Sequence, residues 1–222
     1  MKKFSIIVCD PPWSFSDKLK HSDVKRGAES NYSTMTINEI KSLPISDLAS
    51  DDGCILCLWC PSSLLKEGIE IMESYNFHLK QTYIWVKNKK ERFSDLTKLI
   101  KKNLFYSKIH HDKLSYKTSI ESIVMSLNNA NLVKELSFGM GRLFRQTHEV
   151  CLIGINNGKI YKHLKNKSQR SVSFGINLRH SAKPEHLQDS LELMFPTLEN
   201  RIELFARRIR PGWECVGNEV CD

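Results

Sequence analysis

The fold class that this sequence predicts is α/β, with a mostly parallel sheet covered by helices on both faces. Short apolar runs of strand length recur along the 222 residues. Stretches with helical apolar spacing lie between several of them, and two of these stretches open on a proline. Strands that alternate with helices in this way pack as a parallel sheet between two helical layers.

Phe4 to Cys9 reads as a short buried strand. A polar loop follows, and a helical stretch runs from Ile37 to Ala49 with Thr36 as its N-cap. Gly53 to Trp59 is the next strand. Pro61 then opens a helix, because a first turn needs no N–H from its proline; Leu64, Leu65, Ile69 and Met72 form its apolar face. Tyr83 to Lys87 is a third strand and His148 to Ile155 a fourth. Pro184 opens a helix on which Leu187, Leu191, Met194 and Phe195 repeat at helical spacing. Arg201 to Ala206 and Trp213 to Val216 close the series as late strands. The whole chain, residues 1–222, reads as one domain. Residues 89–137 depart from the pattern as a helical insertion rich in lysine, serine and asparagine. Phe93, Leu96, Ile100 and Leu104 mark one amphipathic face there; Ile120, Ile123, Val124 and Leu127 mark another.

Hydrophobic residues at 41% and charged residues at 26% give the balance of an ordinary globular protein. No apolar run approaches the roughly 20 residues of a membrane span. The apolar stretch near the N-terminus is too short for a signal peptide, and Asp10-Pro11-Pro12 interrupts it. The expected location is cytoplasmic. Seven cysteines, an odd number, argue against a disulfide framework. Cys54 and Cys57 have metal-like spacing, but in a strand they point to opposite faces and cannot share an ion. No metal site is expected.

The net charge is +8, and its distribution says more than its size. Lys80 to Lys117 holds 11 Lys/Arg against 3 Asp/Glu, and Lys159 to Lys183 holds 7 against none. Charge gathered in two segments is what a polyanion binder displays.

Ligands of open α/β sheets bind beyond the carboxyl ends of the strands. That puts Asp10 and the loop behind it in the active-site position. Asp10-Pro11-Pro12-Trp13 suits methylation of an exocyclic base amine. The amine lone pair is delocalised into the ring, so acceptors at its two hydrogens localise it and stabilise the charge that develops. The Asp10 carboxylate supplies one acceptor and the Pro11 carbonyl the other. Pro11 and Pro12 keep the loop stiff and bring no competing donors. Trp13 offers a flat face for a flipped-out base, worth roughly 1–3 kcal/mol.

These residues resemble a family, the adenine methyltransferases related to the messenger-RNA adenosine methyltransferase, with bacterial and phage relatives acting on DNA. The matches run in order: Asp10-Pro11-Pro12-Trp13, Tyr32-Ser33-Thr34-Met35, Leu58-Trp59 and Ile84-Trp85-Val86-Lys87. Gly139-Met140-Gly141 with Arg145 and Glu149 follows, then His180 to Glu185, Glu203 to Arg207, and Gly217-Asn218-Glu219. The resemblance implies a Rossmann-like methyltransferase that uses S-adenosylmethionine, with circularly permuted motif order. Few residues precede Asp10, so the cofactor-binding half is expected C-terminal to it, between Arg201 and Asn218. By the same resemblance, Lys183 neutralises the carboxylate of the cofactor, and Arg207, Asn218 and Glu219 contact its ribose and neighbouring atoms. Asp10 faces its amino group. Tyr32, with Trp13, lines the base pocket, Lys87 lies on the substrate side, and Arg145 meets a phosphate or braces the catalytic loop. Ile209 and Arg210 depart from the family pattern, standing where a polar pair holds the ribose.

The expected activity is transfer of a methyl group to N6 of adenine in DNA. The same reaction on RNA is the first alternative, and a non-catalytic nucleic-acid-binding partner subunit is the second. A similar loop also serves cytosine-amine methylation, but the tryptophan and the ordered motifs favour adenine. Adenine-containing DNA or RNA is the expected partner, with self-association into a homodimer as a further expectation and no membrane contact.

Overall fold

The computed structural model describes residues 2–14, 34–89, 121, 136–139, 143–176, 183–217 and 220. Seven strands form one sheet: β1 (Ile6–Cys9), β2 (Ile55–Cys60), β3 (His78–Asn88), β4 (His148–Ile155), β5 (Val172–Ile176), β6 (Arg201–Leu204) and β7 (Glu214–Val216). Their order across the sheet is β5-β3-β4-β2-β1-β6-β7. β1 pairs in parallel with β2 and with β6, and β6 pairs in parallel with β7. β2 and β4 are antiparallel, so the sheet is mixed. The late strands β6 and β7 lie beside β1, the earliest, as the permuted order requires.

Side chains of β1 and β2 alternate between two cores. Ile7, Cys9, Leu56, Leu58 and Cys60 enter one of them with Ile40, Ile71, Met72 and Trp13. Ile6, Val8, Ile55, Cys57 and Trp59 enter the other with Leu187, Leu191, Phe195 and Trp213. Both strands are buried along their whole length, which is why they read as unbroken apolar runs. Cys54 and Cys57 fall in opposite cores, as the period of two demands. Burial pushes the Cys9 and Cys54 thiols well above their ordinary range, and Cys60 to about 12, so these thiols are inert packing groups.

The helix expected over Ile37–Ala49 is two short ones, α1 (Ile37–Lys41) and α2 (Ile45–Leu48). Pro44 is the cause: it cannot donate within a helix, and its ring collides with the preceding turn. Thr36 caps α1 as expected, its hydroxyl accepting from the Glu39 N–H at 3.3 Å while Glu39 accepts the Thr36 N–H at 2.6 Å. Pro61 leads through a 3₁₀ turn (Ser62–Leu64) into α3 (Leu65–Ser74). Pro184 stands just ahead of α4 (His186–Met194).

Two strands differ from expectation. β3 begins at His78, five residues before Tyr83, because its first half is largely exposed and carries no apolar signal. β5 has the period of two in Val172, Phe174 and Ile176, but all three are exposed, so they do not form a core pattern.

The chain divides into two compact units: Met1–Trp85, His148–Ser173 and Pro184–Asp222 in the first, Val86–Thr147 and Phe174–Lys183 in the second. The first unit holds 18 Lys/Arg against 20 Asp/Glu, the second 15 against 5. Apart from Lys89, Glu121, Leu136 and Ser137, the expected insertion at 89–137 lies outside the described residues. No helix among the described residues is long and apolar enough to cross a membrane.

Candidate active site

The carboxyl ends of β1, β2, β6 and β7 share one rim of the first unit, since Cys9 pairs with Leu58 and Leu204, and Leu204 with Val216. Asp10 is the first residue beyond β1. Its N–H donates to the carbonyl of Leu204 at 3.4 Å, so the ladder to β6 runs on into the loop. Pro11 and Pro12 then contribute no N–H. The Trp13 N–H donates back to Pro11 O at 2.9 Å and tightens the turn. On its outer side the loop is clamped by Met35, whose N–H donates to Pro12 O at 2.7 Å while its carbonyl accepts from Ser14 N–H at 2.9 Å. The Thr34-Met35 half of the second sequence motif is therefore a strap for the first.

Trp13 differs from its expectation. Its ring is 5% exposed, inside the core with Leu58 and Cys60, and its indole N–H donates to the carbonyl of Trp59 at 2.9 Å. A ring with no open face is no platform for a base; Trp13 pins the catalytic loop to the end of β2. Pro11 also differs in part. Its carbonyl already accepts from Trp13, and the second lone pair of a carbonyl is what is left for a substrate hydrogen.

Beyond β6 the chain turns sharply. Phe205 has φ +61, a left-handed conformation uncommon for a bulky residue. The next N–H, of Ala206, donates to Val216 O at 3.0 Å. Gly217 presses against that turn so closely that a Cβ there would stand 2.1 Å from Ala206 O; no other residue type fits. Gly217 of the last family motif thus meets Ala206 of the motif at 203–207 in one backbone contact.

Charge locks this side of the rim. Arg210 is 9% exposed and reaches Glu185 at 2.6 Å, Asp189 at 2.7 Å and Glu192 at 2.9 Å. Arg208 takes the other Glu185 oxygen at 2.6 Å, and the Trp213 indole donates to Glu192 at 2.6 Å. Arg210, the departure from the family pattern, is committed to α4. Sequence marked Arg210 only as a departure from the family pattern and did not mark Arg208. The signal was available in Glu185, Asp189 and Glu192, which share one helical face, but it had no meaning until the basic loop was known to pass there. Glu203 was also missed as a site group. It is the carboxylate of β6, and Gln188 Nε2 donates to it at 2.9 Å. Burial holds its carboxyl above the ordinary range, the Gln188 bond and Arg208 pull it down, and Asp10 adds to the rise.

Of the residues predicted for the site, Asp10, Pro11, Pro12, Trp13 and Arg207 belong to the first unit. The first four form one loop, and Arg207 follows the turn after β6. Lys87, Arg145 and Lys183 belong to the second unit. There the Arg145 guanidinium lies 5.9 Å from the Phe138 ring centroid, a cation–π contact. Tyr32, Asn218 and Glu219 lie outside the described residues.

A sheet of this kind with an Asp-Pro-Pro loop on its carboxyl rim defines a Rossmann-like methyltransferase. The late strands beside β1 give it the permuted form. The chain belongs to the MT-A70 family, whose model matches residues 4–128 and 114–219. It is similar to the type II methyltransferase M.MunI of Mycoplasma sp, with 25% identity across 100% of this chain and 79% of that protein. The human N(6)-adenine-specific methyltransferase METTL4 is 28% identical over 99% of this chain, which spans 38% of METTL4. An Arabidopsis thaliana N(6)-adenosine-methyltransferase MT-A70-like protein is 22% identical over 98% of the chain, which spans 24% of that relative.

Proposed function

We propose that this enzyme transfers a methyl group from S-adenosylmethionine to the N6 amine of adenine in DNA. The observation that carries the reading is the carboxylate of Asp10 on a loop clamped at the rim by Leu204, Met35 and Trp59. Such preorganisation lets an acceptor meet developing charge without reorganising. Asp10 accepts one amine hydrogen and the Pro11 carbonyl, through its second lone pair, accepts the other. The nitrogen lone pair is thereby localised for attack, and the Asp10 carboxylate receives the proton that the methylated amine sheds.

The residue types that the resemblance assigns suit a zwitterionic cofactor. By the family resemblance, Asp10 would take its ammonium group, Lys183 its carboxylate, and Arg207, Asn218 and Glu219 its ribose hydroxyls. When bound, the cofactor supplies an activated methyl group. Lys183→Ala removes one partner of a charge-assisted contact. Calorimetry should show weaker S-adenosylmethionine binding; an unchanged affinity takes Lys183 out of the site.

DNA is favoured over RNA because the chain spans most of a relative named a type II methyltransferase and about a quarter of the plant relative named for adenosine. The basic second unit is assigned to the phosphate backbone, whose contacts position a substrate without reading its sequence. Incubation with methyl-labelled cofactor and separate DNA and RNA pools, followed by nucleoside analysis, should return N6-methyladenine in DNA. Label found only in RNA, or only on cytosine, overturns the substrate assignment.

A further inference from the structure

Gly139 and Gln146 face each other in an antiparallel bridge, with N–H to O distances of 2.9 and 3.1 Å in the two directions. The turn they close carries the two most exposed large apolar side chains among the described residues, Leu143 at 93% and Phe144 at 87%. Arg145 follows at once, with its guanidinium over the exposed ring of Phe138. The legs of the turn are tied down. Asn88 bridges Leu136, the Ser137 N–H donates to Lys87 O at 2.8 Å, and the Lys87 N–H donates to Thr147 O at 2.9 Å. The apolar pair therefore lies next to an anchored bridge, three residues or fewer from Gln146.

We propose that Leu143 and Phe144 are a wedge that enters the base stack of duplex DNA when the target adenine is extruded. The inference rests on the adenine-methylation reading above. An amine inside a duplex is out of reach until its nucleotide leaves the stack, and apolar side chains inserted at a base step are a known means of unstacking it. Charge complementarity selects this occupant over an apolar protein surface, since the unit that carries the bridge holds 15 Lys/Arg against 5 Asp/Glu. The aromatic ring of Phe144 takes the place of the extruded base, and Leu143 beside it widens the step. Arg145 brings positive charge to the flanking phosphate.

The test compares methyl transfer to one DNA preparation as native duplex and after heat denaturation, using the full-length protein and labelled S-adenosylmethionine. In the variant carrying Leu143→Ser and Phe144→Ser, the duplex-to-single-strand activity ratio should fall at least tenfold, with the melting temperature within about a degree of wild type. Phe144→Trp should retain most of the ratio, because its ring still stacks. An unchanged ratio, or equal loss on both substrates, overturns the wedge. So does conversion of a wild-type dimer into a monomer by the double variant, which would assign the pair to a second copy. Wild-type activity confined to single strands likewise overturns the wedge while leaving the methyltransferase reading intact. Absence of adenine methylation by the wild type on either form is the separate result that sinks the reading itself.

Discussion

Two sides of one rim are held by different forces. On the β1 side, the Asp10–Trp13 loop is secured by neutral hydrogen bonds and by burial of an indole. On the β6 side, the segment after Leu204 is secured by a guanidinium set among three carboxylates of α4 and its N-terminal flank. The bonds that hold the β1 loop run through its backbone and the Trp13 indole, whereas the segment after Leu204 is held through charged side chains.

The largest effect is expected on the neutral side. Asp10→Ala should lower methyl transfer on the order of 100-fold or more, with the fold intact by circular dichroism. Turnover near wild type would break the comparison at its root. On the charged side, Arg210→Met leaves Glu185, Asp189 and Glu192 facing one another. Stability should fall by roughly 2 kcal/mol in urea titration, less than the 3–5 kcal/mol for one partner of a fully buried pair, because these carboxylates are part-exposed. A loss below about 0.5 kcal/mol would reduce the latch to ordinary surface pairs.

Trp13→Phe separates bracing from stacking. Losing this buried indole bond should cost about 1 kcal/mol; activity should fall with the melting temperature, and less than for Asp10→Ala. Unchanged melting with turnover abolished would return Trp13 to a role against the base. The smallest effect is expected at Glu203. Its carboxyl is held above the ordinary range chiefly by burial, so its ionised form costs stability, and that cost disappears as pH falls through the folded-state value. Glu203→Gln should therefore melt at or above the parent near pH 8, with the difference closing near pH 4. A lower melting point near pH 8 would show that the contacts with Gln188 and Arg208 outweigh burial.

Sequence alone determined the features that depend on residues a few positions apart. The strand before Asp10, the stiffness of Asp10-Pro11-Pro12, the cap at Thr36 and the opposite facing of Cys54 and Cys57 are all local consequences of side-chain period, φ restriction or a short hydrogen bond. The family followed from ordered local motifs. Pro44 was also locally readable as a break, and the apolar spacing on either side of it hid it. Tertiary structure decided what depends on partners far along the chain. Trp13 meets Trp59 across 46 positions, which turns an expected stacking surface into a buried brace. β4 runs antiparallel to β2 because of where it enters the sheet, a choice its own buried residues do not encode. Arg210 finds Glu185, Asp189 and Glu192 only once α4 is docked beside the loop. An isolated residue carries its own chemistry, but whether that chemistry faces a substrate or a neighbour is set by which distant atoms cover it.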